Sequence, residues 1–199
     1  MAACLSLSAA LGFTACGGER QDENEPKGNF PVEVVNATFP SNQKLAKRSN
    51  LVIRVRNAGD KTVPNIALTV NGFDERKKNP DLADPTRPVF VINGVPTEIG
   101  GFPESKDASP PGCDTAYVNT WACGPLNVGK EKTFRWNVTA VRAGPYRIRY
   151  TVAAGLNGKA KAVDSSGARP AGLFTGRISN KPPQSRVADD GTSVVSGTR

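Results

Sequence analysis

From Leu51 to Val70 the chain reads LVIRVRNAGDKTVPNIALTV, two apolar runs with a period of two residues on either side of a polar connection. Leu51, Ile53 and Val55 share one face of the first run, and Ile66, Leu68 and Val70 share one face of the second. Such alternation marks a strand with one buried face, and Asn57, Gly59, Asp60 and Pro64 between the runs predict a turn, so the segment is expected to form a β-hairpin. The pattern returns further on. Phe134, Trp136 and Val138 alternate with Thr133, Arg135 and Asn137. After Arg142-Ala143-Gly144-Pro145, Tyr146, Ile148, Tyr150 and Val152 alternate with Arg147, Arg149 and Thr151. These runs predict a second hairpin, with Phe134, Trp136, Ile148 and Tyr150 meeting the apolar positions of the first across one core.

Pro31 to Phe39, Val89 to Ile92, Lys159 to Val163 and Leu173 to Ile178 add β-rich runs, for about seven strands with turn signals between them, the number of a two-sheet sandwich. Sixteen prolines and twenty glycines in 199 residues fit a loop-rich all-β chain, because both residues punctuate turns and weaken helices. One core is expected over residues 30–179, interrupted by a long insertion over 73–123, whose FDERKKNPDLADPTRP stretch is too rich in proline and charge for a strand. Residues 180–199 read as a loose polar C-terminal tail.

The first residues differ in kind. Met1 to Phe13 are almost all small or apolar, the length of a signal-peptide core and too short to span a bilayer as a helix. They lead into Phe13-Thr14-Ala15-Cys16-Gly17-Gly18. This resembles the bacterial lipobox, in which an apolar residue and two small residues precede a cysteine that is lipidated and becomes the new N-terminus. Thr14, Ala15 and Cys16 match, while Phe13 stands where leucine is usual. No lysine or arginine precedes the apolar run, which points to a start codon upstream of Met1. The resemblance implies a signal peptide over residues 1–15, a diacylglyceryl group on Cys16, and a flexible, charged tether over residues 16–29. Two acyl chains suffice for stable anchoring where one does not. The expected address is therefore extracytoplasmic, on the cell envelope.

Cysteine usage agrees with that address. Cys4 and Cys16 belong to the leader and its cleavage point, leaving Cys113 and Cys123, an isolated pair that in an exported protein reads as a disulfide. A zinc site would need more ligands, and a catalytic thiol would need a histidine base that the chain lacks.

The strand-turn-strand run from Leu51 to Val70, with Asn57 and Gly59 closing its first strand, resembles bacterial CARDB-type and related immunoglobulin-like domains. LNVGKEKTFRWNV from Leu126 and AGPYRIRYTV from Ala143 resemble their closing strands. The resemblance implies an immunoglobulin-like antiparallel β-sandwich, used in surface, adhesion or spacer modules, and it names no activity. The reading is thus a non-catalytic binding or adhesion-type lipoprotein, the alternatives being a structural spacer or accessory subunit of an envelope complex and, behind these, an extracytoplasmic hydrolase. No catalytic, cofactor-binding or metal-ligating residues are assigned. Asp74, Glu75, Asp81 and Asp84 are the acids a hydrolase or calcium site would draw on, but they lack the spacing of a calcium loop. The insertion is the expected contact region for a protein or envelope-polymer partner.

The formal net charge is +8, and Glu19, Asp22, Glu23 and Glu25 make the early segment acidic, so the excess sits in the strands, at Lys130, Lys132, Arg135, Arg142, Arg147 and Arg149. Outside the cell such charge suits anionic lipid or acidic envelope polymers before nucleic acid, which is not an expected partner. A solvated face of alternating basic residues accounts for it most simply. The sequons at Asn36 and Asn137 fall within strands and receive no role.

Overall fold

The structure is a computed structural model that describes residues 22–76, 80, 83–93, 113–182 and 184–196. Its strands are β1 (Gly28–Thr38), β2 (Asn42–Lys44), β3 (Arg48–Asn57), β4 (Ala67–Asn71), β5 (Phe90–Ile92), β6 (Asp114–Tyr117), β7 (Thr120–Ala122), β8 (Glu131–Ala140), β9 (Gly144–Ala153), β10 (Ala160–Val163), β11 (Ala171–Ser179), β12 (Ser185–Val187) and β13 (Val194–Ser196). Two sheets face each other. Sheet I has the order β10-β1-β3-β8-β5, sheet II the order β2-β11-β9-β4-β7-β6, and β12 and β13 pair only with each other. The all-β sandwich expected from the alternation, immunoglobulin-like as the resemblance implies, is the fold. No helix among the described residues is long and apolar enough to cross a membrane.

Neither expected hairpin forms. β3 lies in sheet I between β1 and β8, while β4 lies in sheet II between β9 and β7. β8 and β9 are likewise split between the sheets. Alternation gives each strand a buried face, but two such faces can lie side by side in one sheet or oppose each other across the core, and the periodicity is the same in both cases. The connections decide. After Asn57 the chain is held by a bridge between Val63 and Leu126, with both backbone hydrogen bonds at 3.0 Å, before it enters sheet II. After Ala140, the Val141 amide donates to the Val89 carbonyl at 3.0 Å, and the chain turns at Gly144, whose φ of 123° favours glycine.

The consequence is a core made by apolar faces meeting face to face. Leu51, Ile53 and Val55 of β3 and Phe134, Trp136 and Val138 of β8 come from one sheet; Leu68, Val70, Ile148 and Val152 come from the other, and all are fully buried. Within sheets the register sets Leu51 beside Trp136, Ile53 beside Phe134, and Val70 beside Tyr150. Each such side chain stabilises the fold by about 1.5–3 kcal/mol through removal from water. Trp121 of β7 packs edge-on against Trp136 with centroids 5.3 Å apart, joining the two layers. Toward the end that carries β2, Phe39, Phe73, Phe90 and Tyr146 form a cluster of edge-to-face pairs at 5.3–6.5 Å. Burial pushes the Tyr146 hydroxyl above its ordinary value, opposed by a hydrogen bond from Gln43.

Among the described residues, contacts with the sandwich are already made at Asp22, inside the segment that the sequence assigns to a tether. The Glu25 carboxylate accepts hydrogen bonds from the backbone amides of Asn157 at 2.7 Å and Ala160 at 2.5 Å. Asn157 donates through Nδ2 to the Asp22 carbonyl at 3.3 Å, and β1 then pairs in parallel with β10 from Gly28. A Cβ on Gly155 would stand 2.2 Å from the Glu25 side-chain carbon, so the carboxylate closes over a position that only glycine leaves open. Removing Glu25 orphans the buried Ala160 amide. Glu25→Ala is therefore expected to lower unfolding free energy by about 1–3 kcal/mol, measured by urea titration. At the other terminus, β12 and β13 form a short hairpin whose turn is held by Asp190, which accepts from the Thr192 and Ser193 amides. Those bonds, led by the one from the Ser193 hydroxyl, hold its carboxyl down at about 2.

Candidate functional site

The outward faces of the two sheets carry basic residues in different states. On sheet I, Arg54 pairs with Glu131 at 3.6 Å and Arg56 pairs with Glu33, while Arg48 and Arg135 stand outside these pairs. Asn50, Asn137, Asn93 and Thr139 continue that face as a ladder of side-chain hydrogen bonds at 2.7–2.9 Å. Exposed ion pairs of this kind contribute little energy, but they neutralise one another.

Sheet II is different. Strand alternation turns Tyr146, Ile148, Tyr150 and Val152 of β9 inward and sets Arg147, Arg149 and Thr151 outward. The register places Thr175 beside Arg147 and Leu173 beside Arg149, so that Arg177 stands diagonal to Arg147 on the same face. On the next strand Lys44 lies beside Ser179. Arg147, Arg149, Arg177 and Lys44 are all exposed, and among the described residues none of them pairs with a carboxylate. Strands β2, β11, β9 and β4 contain no acidic residue at all. The carboxylates on this side stand at the β6–β7 edge: Asp114 lies exposed on β6 itself, Asp74 accepts from Asn119 at 3.4 Å, and Asp22 lies 3.5 Å from the Tyr117 hydroxyl. Successive outward positions on a strand are about 7 Å apart. Three guanidiniums thus occupy one small patch, with the exposed Leu173 among them.

Cys113 and Cys123 are joined by a disulfide, and both are buried. The segment they enclose is a hairpin, β6 and β7, turning at Asn119 with a φ of 57°. Cys16 and Asp81 lie outside the described residues, as do residues 77–79, 82 and 94–112 of the expected contact insertion. Asp84 accepts from the Thr86 amide and hydroxyl, both at 3.0 Å, and these bonds hold its carboxyl below the usual range. Among the described residues no group of three His, Cys, Asp or Glu side chains could hold a metal ion. A cleft of about 310 Å³ lies where the N-terminal segment docks, lined by Asp22, Glu25, Pro64, Gly124 and Leu156 among others.

Arg147 and Arg149 are visible in the sequence as a basic alternation, and their readiest explanation there is a solvated face. Arg177 and Lys44 join them only through the pairing of β9 with β11 and of β11 with β2, which local patterning does not carry.

No family model and no curated protein matches this chain. Among solved structures it is similar to the CARDB domain of the PF1109 protein from Pyrococcus furiosus, crystallised in complex with di-metal ions, at 17% identity and a TM-score of 0.44 over 81% of this chain and 98% of that one. It is also similar to native alpha-2-macroglobulin from Escherichia coli, at 14% identity and a TM-score of 0.44 over 82% of this chain and 21% of that one. A third is AvmM, which catalyses macrocyclization in alchivemycin A biosynthesis, at 12% identity and a TM-score of 0.41 over 78% of this chain and 92% of that one. At these values the fold assignment rests on the strand pairing described above.

Proposed function

We propose that this chain is a non-catalytic binding module, held outside the cell by acylation of Cys16. The observation that carries the binding reading is the basic cluster on sheet II: Arg147, Arg149 and Arg177 lie on strands without an acidic residue and among the described residues pair with no carboxylate, whereas on sheet I Arg54 and Arg56 are paired with Glu131 and Glu33. A rigid two-layer core holds those guanidiniums at fixed spacing, which favours recognition of multiple anionic groups at once. The acids that a hydrolase would need support the same reading, since Asp84 is engaged in its own turn and Asp74 bonds to Asn119. The FTAC sequence at Phe13 to Cys16 supports the anchor.

Metabolic labelling with a clickable fatty acid tests the anchor. The wild-type chain expressed in bacteria is expected to take up label and partition into the membrane fraction, and Cys16→Ala is expected to lose both. An unlabelled wild type, or a labelled Cys16→Ala chain, refutes it.

A further inference from the structure

We propose that the outer face of sheet II is the side of the domain that lies against the membrane, with its arginines on the headgroups of anionic phospholipids. The inference rests on the acylation of Cys16 proposed above and adds to it an orientation and a lipid class.

The charge is the first ground. Arg147, Arg149, Arg177 and Lys44 project from three adjoining strands, β9, β11 and β2, that like the neighbouring β4 hold no acidic residue. Guanidiniums bind phosphodiesters through paired N–H donors and are more weakly hydrated than ammonium groups, which suits a headgroup layer. The second ground is apolar. Leu173 is 44% exposed beside Arg149, Tyr117 is 50% exposed on the same side, and Val118 is 85% exposed at the tip of the β6–β7 turn. Leu173 thus adjoins the cations, and Tyr117 and Val118 add apolar surface at the far edge of the same face, a composition that suits a membrane interface. A soluble acidic polymer would satisfy the arginines but would leave Leu173 and Val118 in water.

The third ground is the position of Asp22, the first described residue. Asp22 stands 3.5 Å from the Tyr117 hydroxyl, and the Glu25 carboxylate pins the residues that follow. Asp22 is six residues from Cys16, a span of about 20 Å when fully extended. From β6 to β9 is three strand spacings, about 14 Å. Acyl chains on Cys16 therefore enter a bilayer within reach of the sheet II face. Sheet I lies a further 10 Å or so behind it.

The test uses the full chain carrying Cys16→Ala, so that binding reads the face without the acyl group. Its sedimentation with phosphatidylcholine vesicles is compared with that on mixed phosphatidylcholine–phosphatidylglycerol vesicles, and the ratio cancels any contribution from the apolar Met1 to Phe13. Each cation near an anionic surface strengthens binding about fivefold, so adding Arg147→Gln, Arg149→Gln and Arg177→Gln is expected to reduce the preference for mixed vesicles roughly 100-fold. The preference should also fall as salt rises. Arg54→Gln with Arg56→Gln, on the opposite face, should leave it unchanged, and unaltered melting of all variants excludes misfolding. Equal binding to both vesicle types, or a preference that survives the triple substitution, overturns the proposal. So does release from mixed vesicles by inorganic polyphosphate at matched charge, which would assign the face to a soluble polymer. Fatty-acid labelling of the wild type is scored separately. Label without vesicle preference removes only this inference, and vesicle preference without label removes the anchor while supporting the lipid-binding face.

Discussion

Trp136→Ala is expected to lower the free energy of unfolding by about 3–5 kcal/mol, the cost of deleting a fully buried aromatic side chain from a close-packed interior. Trp136 sits at the centre of β8, completely excluded from solvent. It is the contact through which Trp121 of sheet II reaches sheet I, with centroids 5.3 Å apart, and it stacks on Phe134 at 6.1 Å. Truncation therefore opens a void between the layers at a point where neither sheet can collapse without shifting its register. The indole Nε1 is buried without a hydrogen-bond partner. Trp136→Phe keeps most of the ring contact and removes that unpaired donor, so it should cost markedly less than the alanine variant. Urea titration of the two variants separates the terms: an alanine variant within about 1 kcal/mol of wild type would show that Trp136 does not join the layers.

How much of this was legible in the sequence depends on whether a property belongs to one strand or to a pair. Inward positions belong to one strand. Leu51, Ile53, Val55, Ile66, Leu68, Val70, Phe134 and Ile148 are predicted inward by alternation and are fully buried. Partner choice belongs to pairs, and there the local reading goes astray: β3 and β4 look like a hairpin, yet β3 takes β8 as its neighbour, with Arg48 beside Thr139. Turn residues mislead because Asn, Gly and Pro terminate a strand equally well whether the chain returns alongside it or crosses to the facing sheet. The three-residue strands β2 and β7 are too short to show any period. Glu25 reads as a solvated tether residue because its partners, the Asn157 and Ala160 amides, lie more than a hundred positions away. The same limit governs the basic face. Its arginines on β9 are legible as a stripe, but the absence of neutralising acids is a property of four strands assembled from distant parts of the chain.

Asn57 shows what the turn signal was recording, and its removal is the second large effect expected. Its side chain is buried and fully engaged: Nδ2 donates to the Lys61 and Leu126 carbonyls, both at 2.8 Å, and Oδ1 accepts from the Gly59 amide at 3.0 Å. Its backbone accepts from Gly129 and donates to Lys130, both at 3.0 Å. One residue thus ties the outgoing end of β3 to the loop that precedes β8, at the place where the chain leaves sheet I for sheet II. Asn57→Ala removes three side-chain hydrogen bonds and strands buried polar groups, for an expected loss of about 2–4 kcal/mol. Asn57→Asp discriminates this clamp from a generic turn preference, because aspartate is as good a turn former as asparagine. It keeps the acceptor for Gly59 but presents a buried carboxylate to two carbonyl oxygens that require donors. Its folded-state pKa must then be raised, so stability should be greater below the ordinary aspartate range and fall as pH rises through the raised value. Denaturation measured at acid and neutral pH reads this directly. An aspartate variant as stable as wild type at neutral pH would mean that Asn57 acts only through its backbone conformation and that the crossover is held by the Val63–Leu126 bridge.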